Sequence, residues 1–407
     1  MKKIIFTLML TSFFFSRLNS QEIYKDKAND SFIADALTLV NADSLKATMV
    51  SLQDMGTRFM IAPNRKEVAT WIMNRFISMG INEVRLDSFE CHTNINFPFL
   101  QYDTTTWQYN VEAKITGNSS PDQEVVVLGH YDCVVDTDDP MFFAPGADDN
   151  ASGTAAVLEC ARVINAMDYQ PEQTFIFLTS AAEELLYFGD AGTEHYAIEA
   201  MEDGRDLVMV INNDMISWNN GTWTLALGNH LFSPHITELA IYIIENYTTL
   251  NYYASEPVIQ VGADLQPFLF CGYHGIYFME DDISPDYHHV TDLVANCDSS
   301  YLAEITKVNL GMILQSDITV GIRESVINSE KISIYPNPAS DETYVMMDDP
   351  TEQSWDLKIA DITCKVIYQS TINTGINRID VSMLPGGMYT MIFSKGGEMQ
   401  CRKLIKS

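Results

Sequence analysis

The chain has 407 residues and a formal net charge of −31, with 55 acidic against 24 basic residues. So acidic a protein is repelled by nucleic acid and by anionic membrane surfaces, which argues against both as partners. Residues 1–21 carry +3, residues 331–407 hold 8 basic against 9 acidic residues, and the stretch between carries −33, so two different modules meet near Glu330.

Lys2 and Lys3 precede an apolar run from Ile4 to Phe15 and a polar exit from Ser16 to Ser20. That is the layout of a secretory signal peptide cut near Ser20. The run is shorter than the roughly 18 residues a membrane helix needs, and no later stretch reaches that length, so the mature protein is expected without a transmembrane segment. Seven cysteines, at 91, 133, 160, 271, 297, 364 and 401, lack CxxC spacing. Neither a zinc ribbon nor a disulfide framework is indicated. Cys133 directly follows the HYD motif, and is read as a small strand-end residue rather than a soft metal ligand.

In the acidic middle, Asn64–Met79 places Val68, Trp71, Ile72, Phe76 and Met79 on one helical face, with Gly80 as a stop. Strand-like segments follow at Val84–Phe89 and Tyr109–Thr116, then the nearly continuous apolar run Glu124–Gly129, the pattern of a strand buried on both faces. A helix is expected over Ser152–Met167, further buried strands over Thr174–Ser180 and Leu207–Ile211, and helices over Ser233–Tyr247 and Ser299–Leu314. Alternating strands and helices predict an α/β fold, a mostly parallel (mixed) central sheet with helices on both faces. Such sheets place their sites beyond the carboxyl ends of the strands.

The acidic motifs fall at those ends. Glu124–Gly129 runs into His130-Tyr131-Asp132, Thr174–Ser180 into Ala181-Ala182-Glu183-Glu184, and Leu207–Ile211 into Asn212-Asn213-Asp214. Clustered carboxylates repel one another and resist desolvation unless a cation compensates them, so a divalent metal centre is the economical explanation. In His130-x-Asp132 the two side chains point the same way on extended backbone, so Asp132 can orient a ligating imidazole. PGADDNASG, at 145–153, turns directly into a helix with Asp148 aimed at the site. Capping alone needs one such acid, not a run of them, which favours metal ligation. Adjacent Glu183 and Glu184 point in different directions, so one can bind metal while the other serves as general base. PDYHHVTD, at 285–292, offers the second imidazole that the set lacks.

In this order and at these spacings HYD, PGADDNASG, AAEE, NNDM and PDYHHVTD resemble the exported zinc aminopeptidases with a dinuclear centre, whose clan also contains glutaminyl cyclases. The resemblance covers roughly residues 40–320. It implies two Zn2+ ions per chain, with Asp148 bridging them, His130 and Asp214 completing one site and Glu184 and His288 the other. It further implies Glu183 as the base, Asp132 orienting His130, and a cis Asp148-Asp149 link. His288 is preferred to His289 because the family pattern is Tyr-His followed four residues later by an acid, here Asp292. The implied substrates are peptides with a free amino terminus. Many relatives carry Ser-Asp-His before a Phe where this chain has Ala263-Asp264-Leu265, and Gly-Tyr-Pro where it has Gly272-Tyr273-His274. The terminal residue preferred is therefore open. A glutaminyl cyclase and a non-catalytic binding protein are the alternatives, the latter disfavoured by retention of Glu183.

Beyond residue 330, strand-like stretches at Asp356–Ile362, Val366–Gln369 and Arg378–Val381 predict a small all-β sandwich. YPNPAS at 335–340, PGGMY at 385–389 and KLIK at 403–406 resemble the C-terminal sorting domain of the type IX secretion system. The expected organisation is a signal peptide over 1–20, a zinc peptidase domain with a helical extension over 21–323, and a sorting domain over 324–407. The resemblance implies the type IX machinery as a partner. It also implies a secreted or cell-surface location, reached through the periplasm and outer membrane of a Gram-negative bacterium.

Overall fold

A computed structural model describes residues 27–97, 100–136, 138–184, 192–230, 233–256, 258, 263–323, 332–347, 354–361, 365–395 and 398–406. The signal segment over 1–20 lies outside the described residues.

Helices α1 (Lys27–Leu37), α2 (Ala42–Gln53) and α3 (Arg65–Ser78) precede a long hairpin, β1 (Glu83–Phe97) and β2 (Leu100–Ile115). Then come β3 (Ser120–His130), α4 (Gly153–Ala166), β4 (Gln173–Ser180), α5 (Gly192–Glu202), β5 (Asp206–Asn213) and β6 (Thr224–Gly228). The module closes with α6 (Pro234–Tyr247), β7 (Asn251–Ala254), α7 (Leu265–Phe270), β8 (Gly275–Glu280) and α8 (Ser299–Arg323).

The eight strands form one sheet in the order β1-β2-β4-β3-β5-β8-β6-β7. Its centre is parallel, through β4/β3, β3/β5 and β5/β8, while β1/β2, β2/β4 and β6/β8 are antiparallel. The three motif-bearing strands are thus neighbours. Side chains alternate across a strand, so Val125 and Val127 join the core under α1, α2, α3, α4, α6 and α8. Val126 and Leu128 face the opposite way, onto Tyr196 and Ala197 of α5 and Phe268 of α7. Both faces are apolar because both are covered.

Two elements outrun the sequence pattern. The hairpin extends well past Phe89, through His92, Asn94, Asn96 and the polar run 103–106, where no strand is expected. Helix α8 continues to Arg323, nine residues past the expected Leu314.

The second module has two antiparallel sheets. One joins β9 (Ile332–Tyr335), β10 (Glu342–Met347) and β13 (Gly375–Asp380); the other joins β11 (Trp355–Ala360), β12 (Val366–Ile372), β14 (Gly387–Lys395) and β15 (Glu398–Lys406). Val345 and Met347 from the first and Trp355, Leu357, Phe393 and Leu404 from the second fill one shared core, as a sandwich requires.

Candidate metal centre

Five segments converge beyond the carboxyl edge of the parallel strands. His130 Nε2 lies 3.3 Å from Asp214 Oδ1, 3.4 Å from Asp149 Oδ1 and 3.9 Å from Glu183 Oε2. His288 Nε2 lies 3.0 Å from Glu184 Oε2 and 3.3 Å from Asp149 Oδ2. Asp149 therefore stands between the two imidazoles with one oxygen toward each. Of the expected residues, His130, Asp132, Glu183, Glu184, Asp214 and His288 come together.

Asp148 does not take the expected central place; Asp149 does. Asp148 is turned the other way, and its Oδ1 accepts hydrogen bonds from Ser217 N at 2.8 Å, Ser217 Oγ at 2.7 Å and Trp218 N at 3.1 Å. The buried carboxyl of Glu280 faces it, pushed up to about 11 by burial and by the Asp148 charge, and so held protonated. The cis link likewise falls at Asp149-Asn150, not Asp148-Asp149. Backbone conformation and tertiary contacts together account for it. Asp149 is extended, at φ −107° and ψ 92°, and successive side chains on extended backbone point to opposite sides. Ser217 and Trp218 hold the Asp148 side chain away from the cluster, and Asp292 fixes the backbone of both, its two oxygens accepting Asp148 N at 2.8 Å and Asp149 N at 3.1 Å.

The electrostatics suit a cation. Glu183 is raised well above the usual carboxylate range by burial and by the charges of Asp214, Asp264 and Glu184, with His130 opposing. Burial and the Asp149 charge push Glu184 up to about 7. Burial works against protonation of both imidazoles, yet Glu183 and Asp214 hold His130 raised, and Glu184 and Asp149 push His288 up to about 12. Donor atoms of His130, Asp149 and Glu184 lie within 4.8 Å of one another. Glu184 Oε1 and His288 Nε2 are buried without a hydrogen-bond partner among the described residues. His288 Nε2 is thus close to two carboxylates but aligned with neither. Nitrogen and oxygen donors gathered this closely, with Glu184 Oε1 and His288 Nε2 left without partners among the described residues, fit zinc.

A ring of contacts holds these groups. Asp132 Oδ1 lies 3.4 Å from His130 Nδ1, and its carboxylate accepts Glu183 N at 3.1 Å and Glu184 N at 3.2 Å. It orients the imidazole and anchors the acidic turn together. Asp136 Oδ2 is 3.2 Å from His288 Nδ1, and Tyr277 donates to Asp214 Oδ2 at 3.2 Å. The buried Arg58 guanidinium donates to the carbonyls of Tyr131, Pro145 and Gly146. It ties the end of β3 to the aspartate loop. Gly146, at φ +50°, makes that loop possible: a Cβ there would lie 2.4 Å from Cys133 Cβ and 2.5 Å from Asp149 O. Ala182, Met215 and His288 all have positive φ at the centre, an unfavourable conformation that tends to cluster at functional sites.

Asp136, Tyr277 and Arg58 carried no sequence signal as site residues. Each acts across dozens of positions, whereas Asp264 and Asp292 stood in recognised patterns. His289 is exposed, with its amide on Asp286 O. Cys133 gives its thiol to Ala144 O, and burial pushes it up to about 12, so it behaves as packing. A second trio, Asp87, His195 and Glu199, also has donor atoms within 4.8 Å. There Arg85 lies 3.6 Å from Asp87 and 3.8 Å from Glu199, so a guanidinium already supplies the positive charge.

Residues 110–313, half of the chain, match Peptidase family M28. The chain belongs to that family. Residues 333–407 match the Secretion system C-terminal sorting domain. A probable zinc metalloprotease of Leptosphaeria maculans is 26% identical over 342 residues, covering 70% of this chain and 77% of its own length. A probable leucine aminopeptidase of Arthroderma benhamiae is 23% identical, covering 68% and 73%. Among solved structures, the LapA aminopeptidase of Legionella pneumophila shares the fold with a TM-score of 0.58 at 17% identity, covering 70% of this chain and 75% of that one. A glutaminyl cyclase of Bacteroides thetaiotaomicron shares it with a TM-score of 0.53 at 16% identity, covering 68% and 98%. This M28 peptidase carries a sorting domain of the type IX secretion system, a Gram-negative export route. No described helix is long and apolar enough to cross a membrane.

Proposed function

We propose that this M28 peptidase is a zinc aminopeptidase that removes the amino-terminal residue of peptides, with Glu183 as general base. The observation that carries the reading is Asp149, placed with one oxygen toward His130 and the other toward His288. Two zinc ions per chain account for that arrangement. His130 and Asp214 would hold one, Glu184 and His288 the other, and Asp149 both. Bound zinc supplies Lewis-acid polarisation of the scissile carbonyl and acidifies water at the site.

The remaining chemistry belongs to side chains. Glu183 stands beside His130, and burial raises its affinity for a proton. Its carboxylate takes the proton of the attacking water and returns it to the leaving amine. Asp132 keeps the His130 ring and the Glu183 backbone in register while that proton moves. The acidic surroundings favour a cationic free amino terminus. The names of the relatives, zinc metalloprotease and leucine aminopeptidase, point the same way.

The sorting domain contributes nothing to the chemistry, and we assign it residues 324–407, with a peptidase domain over 21–323 and a signal peptide over 1–20. Its removal after outer-membrane passage would leave the peptidase free or at the cell surface. Incubating zinc-loaded protein with Leu-4-nitroanilide and with a Gln-initiated peptide tests the activity. Amine release that a chelator abolishes supports the aminopeptidase, whereas ammonia and pyroglutamate would replace it with a glutaminyl cyclase.

A further inference from the structure

The β1–β2 hairpin stands over the same edge of the sheet as the metal centre. Strand β2 pairs with β4 only as far as Val111 opposite Thr179, whereas β1 and β2 remain paired through Phe89 with Gln108 and Glu90 with Trp107. Those residues rise past the end of β4, level with the turn that carries Glu183 and Glu184. Phe89 packs in one buried cluster with Ala182, the residue immediately before Glu183. Helix α5 returns alongside, its His195 stacked on Phe89 with ring centroids 4.7 Å apart.

A cleft of about 540 Å3 lies between hairpin and helix, lined by Glu90 and Trp107 on one side and Glu194, Ile198 and Glu202 on the other. Its apolar wall is open to solvent: Trp107 is 50% and Ile198 39% exposed. Its charge is compensated only in part, with Asp87 holding His195 of the lining. Glu199 and Asp87 share Arg85, while no described cation pairs with Glu90, Glu194 or Glu202. An indole face beside several free carboxylates is complementary to an alkyl chain ending in a cation.

We propose that this cleft is a subsite for a lysine or arginine side chain on the residues that follow the scissile bond of the peptide substrate. The assignment rests on the aminopeptidase reading: the residue removed is the peptide's end, so the residues that can reach the hairpin beside the Glu183 turn are those after the scissile bond.

The test uses zinc-loaded full-length protein and the peptides Leu-Xaa-Gly-Gly, Leu-Gly-Xaa-Gly and Leu-Gly-Gly-Xaa, with Xaa as Lys, Ala or Glu. In at least one position Lys should raise kcat/KM over Ala by about three- to ten-fold and Glu should lower it, an effect that shrinks as salt is added. The triple variant E90Q/E194Q/E202Q should lose the Lys advantage and keep its rate on Leu-4-nitroanilide, which has no downstream residue. Equal rates for the three residues at every position, or a Lys advantage that survives in the triple variant, overturn the subsite. Should the wild type release no amine from any substrate, the aminopeptidase reading fails by itself. Calorimetric binding of D-Leu-Gly-Lys-Lys against D-Leu-Gly-Glu-Glu then decides the cleft: tighter binding of the lysine peptide, lost in the triple variant, supports it, and equal binding overturns it.

Discussion

The two modules handle charge in opposite ways. Among the described residues of the sandwich the buried core is apolar apart from Thr343, and an ion pair, Arg378–Glu342, lies at the surface. In the α/β module Asp132, Asp148, Asp149, Asp214, Asp264, Glu280 and Asp292 are all buried. Burying so many carboxylates is costly unless a cation or a shared proton compensates them. The contrast separates a domain shaped to be recognised from one shaped to hold a metal.

Several experiments break or sharpen that contrast. The largest effect is expected at Glu183: Glu183→Gln should lower kcat by about 10²- to 10⁴-fold while circular dichroism stays unchanged. Full turnover in that variant would sink the base assignment. In the sandwich, Trp355→Ala removes a fully buried side chain. It should destabilise that module by about 3–5 kcal/mol, read by its unfolding transition, with the peptidase rate untouched; a parallel fall in rate would show the modules to be coupled.

Next in size are the contacts behind the donors. Asp136→Ala removes the acceptor of His288 Nδ1, and zinc affinity measured against a chromophoric chelator should fall about 10- to 100-fold. Asp149→Asn should lower zinc affinity more than Asp148→Asn. A reversed order would restore Asp148 as the central ligand.

The smallest effect is a pH dependence of stability. Burial opposes ionisation of Asp87, but hydrogen bonds from His195 and Asn110 hold it lowered, while the bond to Asp87 holds His195 raised. The lowered carboxylate stabilises the fold above its unfolded value near ~3.9, and that contribution is lost as pH falls through the folded value. The raised imidazole stabilises below its unfolded value near ~6.5, and that contribution is lost as pH rises through the folded value. The melting-temperature gap between wild type and His195→Phe should therefore be widest between about pH 4 and 6.5. A gap that stays flat from acid to alkaline pH would count against the pair.

Much of the site was legible in the sequence because strand and chemistry coincide there. The apolar runs ending at Gly129, Ser180 and Ile211 read as buried strands, and in a parallel sheet the residues after them stand at one edge. The positions of His130, Asp132, Glu183, Glu184 and Asp214 followed from that, and their separate roles from the family resemblance. The outer half of the β1–β2 hairpin was not read from the sequence: Cys91, Thr93, Ile95 and Phe97 alternate with polar residues, but Pro98 and the polar run 103–106 interrupt the pattern. With it went the cleft against α5.

By itself the sequence determined the fold class, the two-module division and the types of donor, because hydrophobic periodicity and charge are properties of the chain. Only the tertiary structure decided which of two adjacent aspartates faces the cluster. Asp148 and Asp149 are chemically identical and sequential, and what distinguishes them is that Ser217 and Trp218, about 70 positions away, hold the Asp148 carboxylate. The same holds for Arg58, whose carbonyl partners at Tyr131, Pro145 and Gly146 become neighbours only once the chain has closed over them.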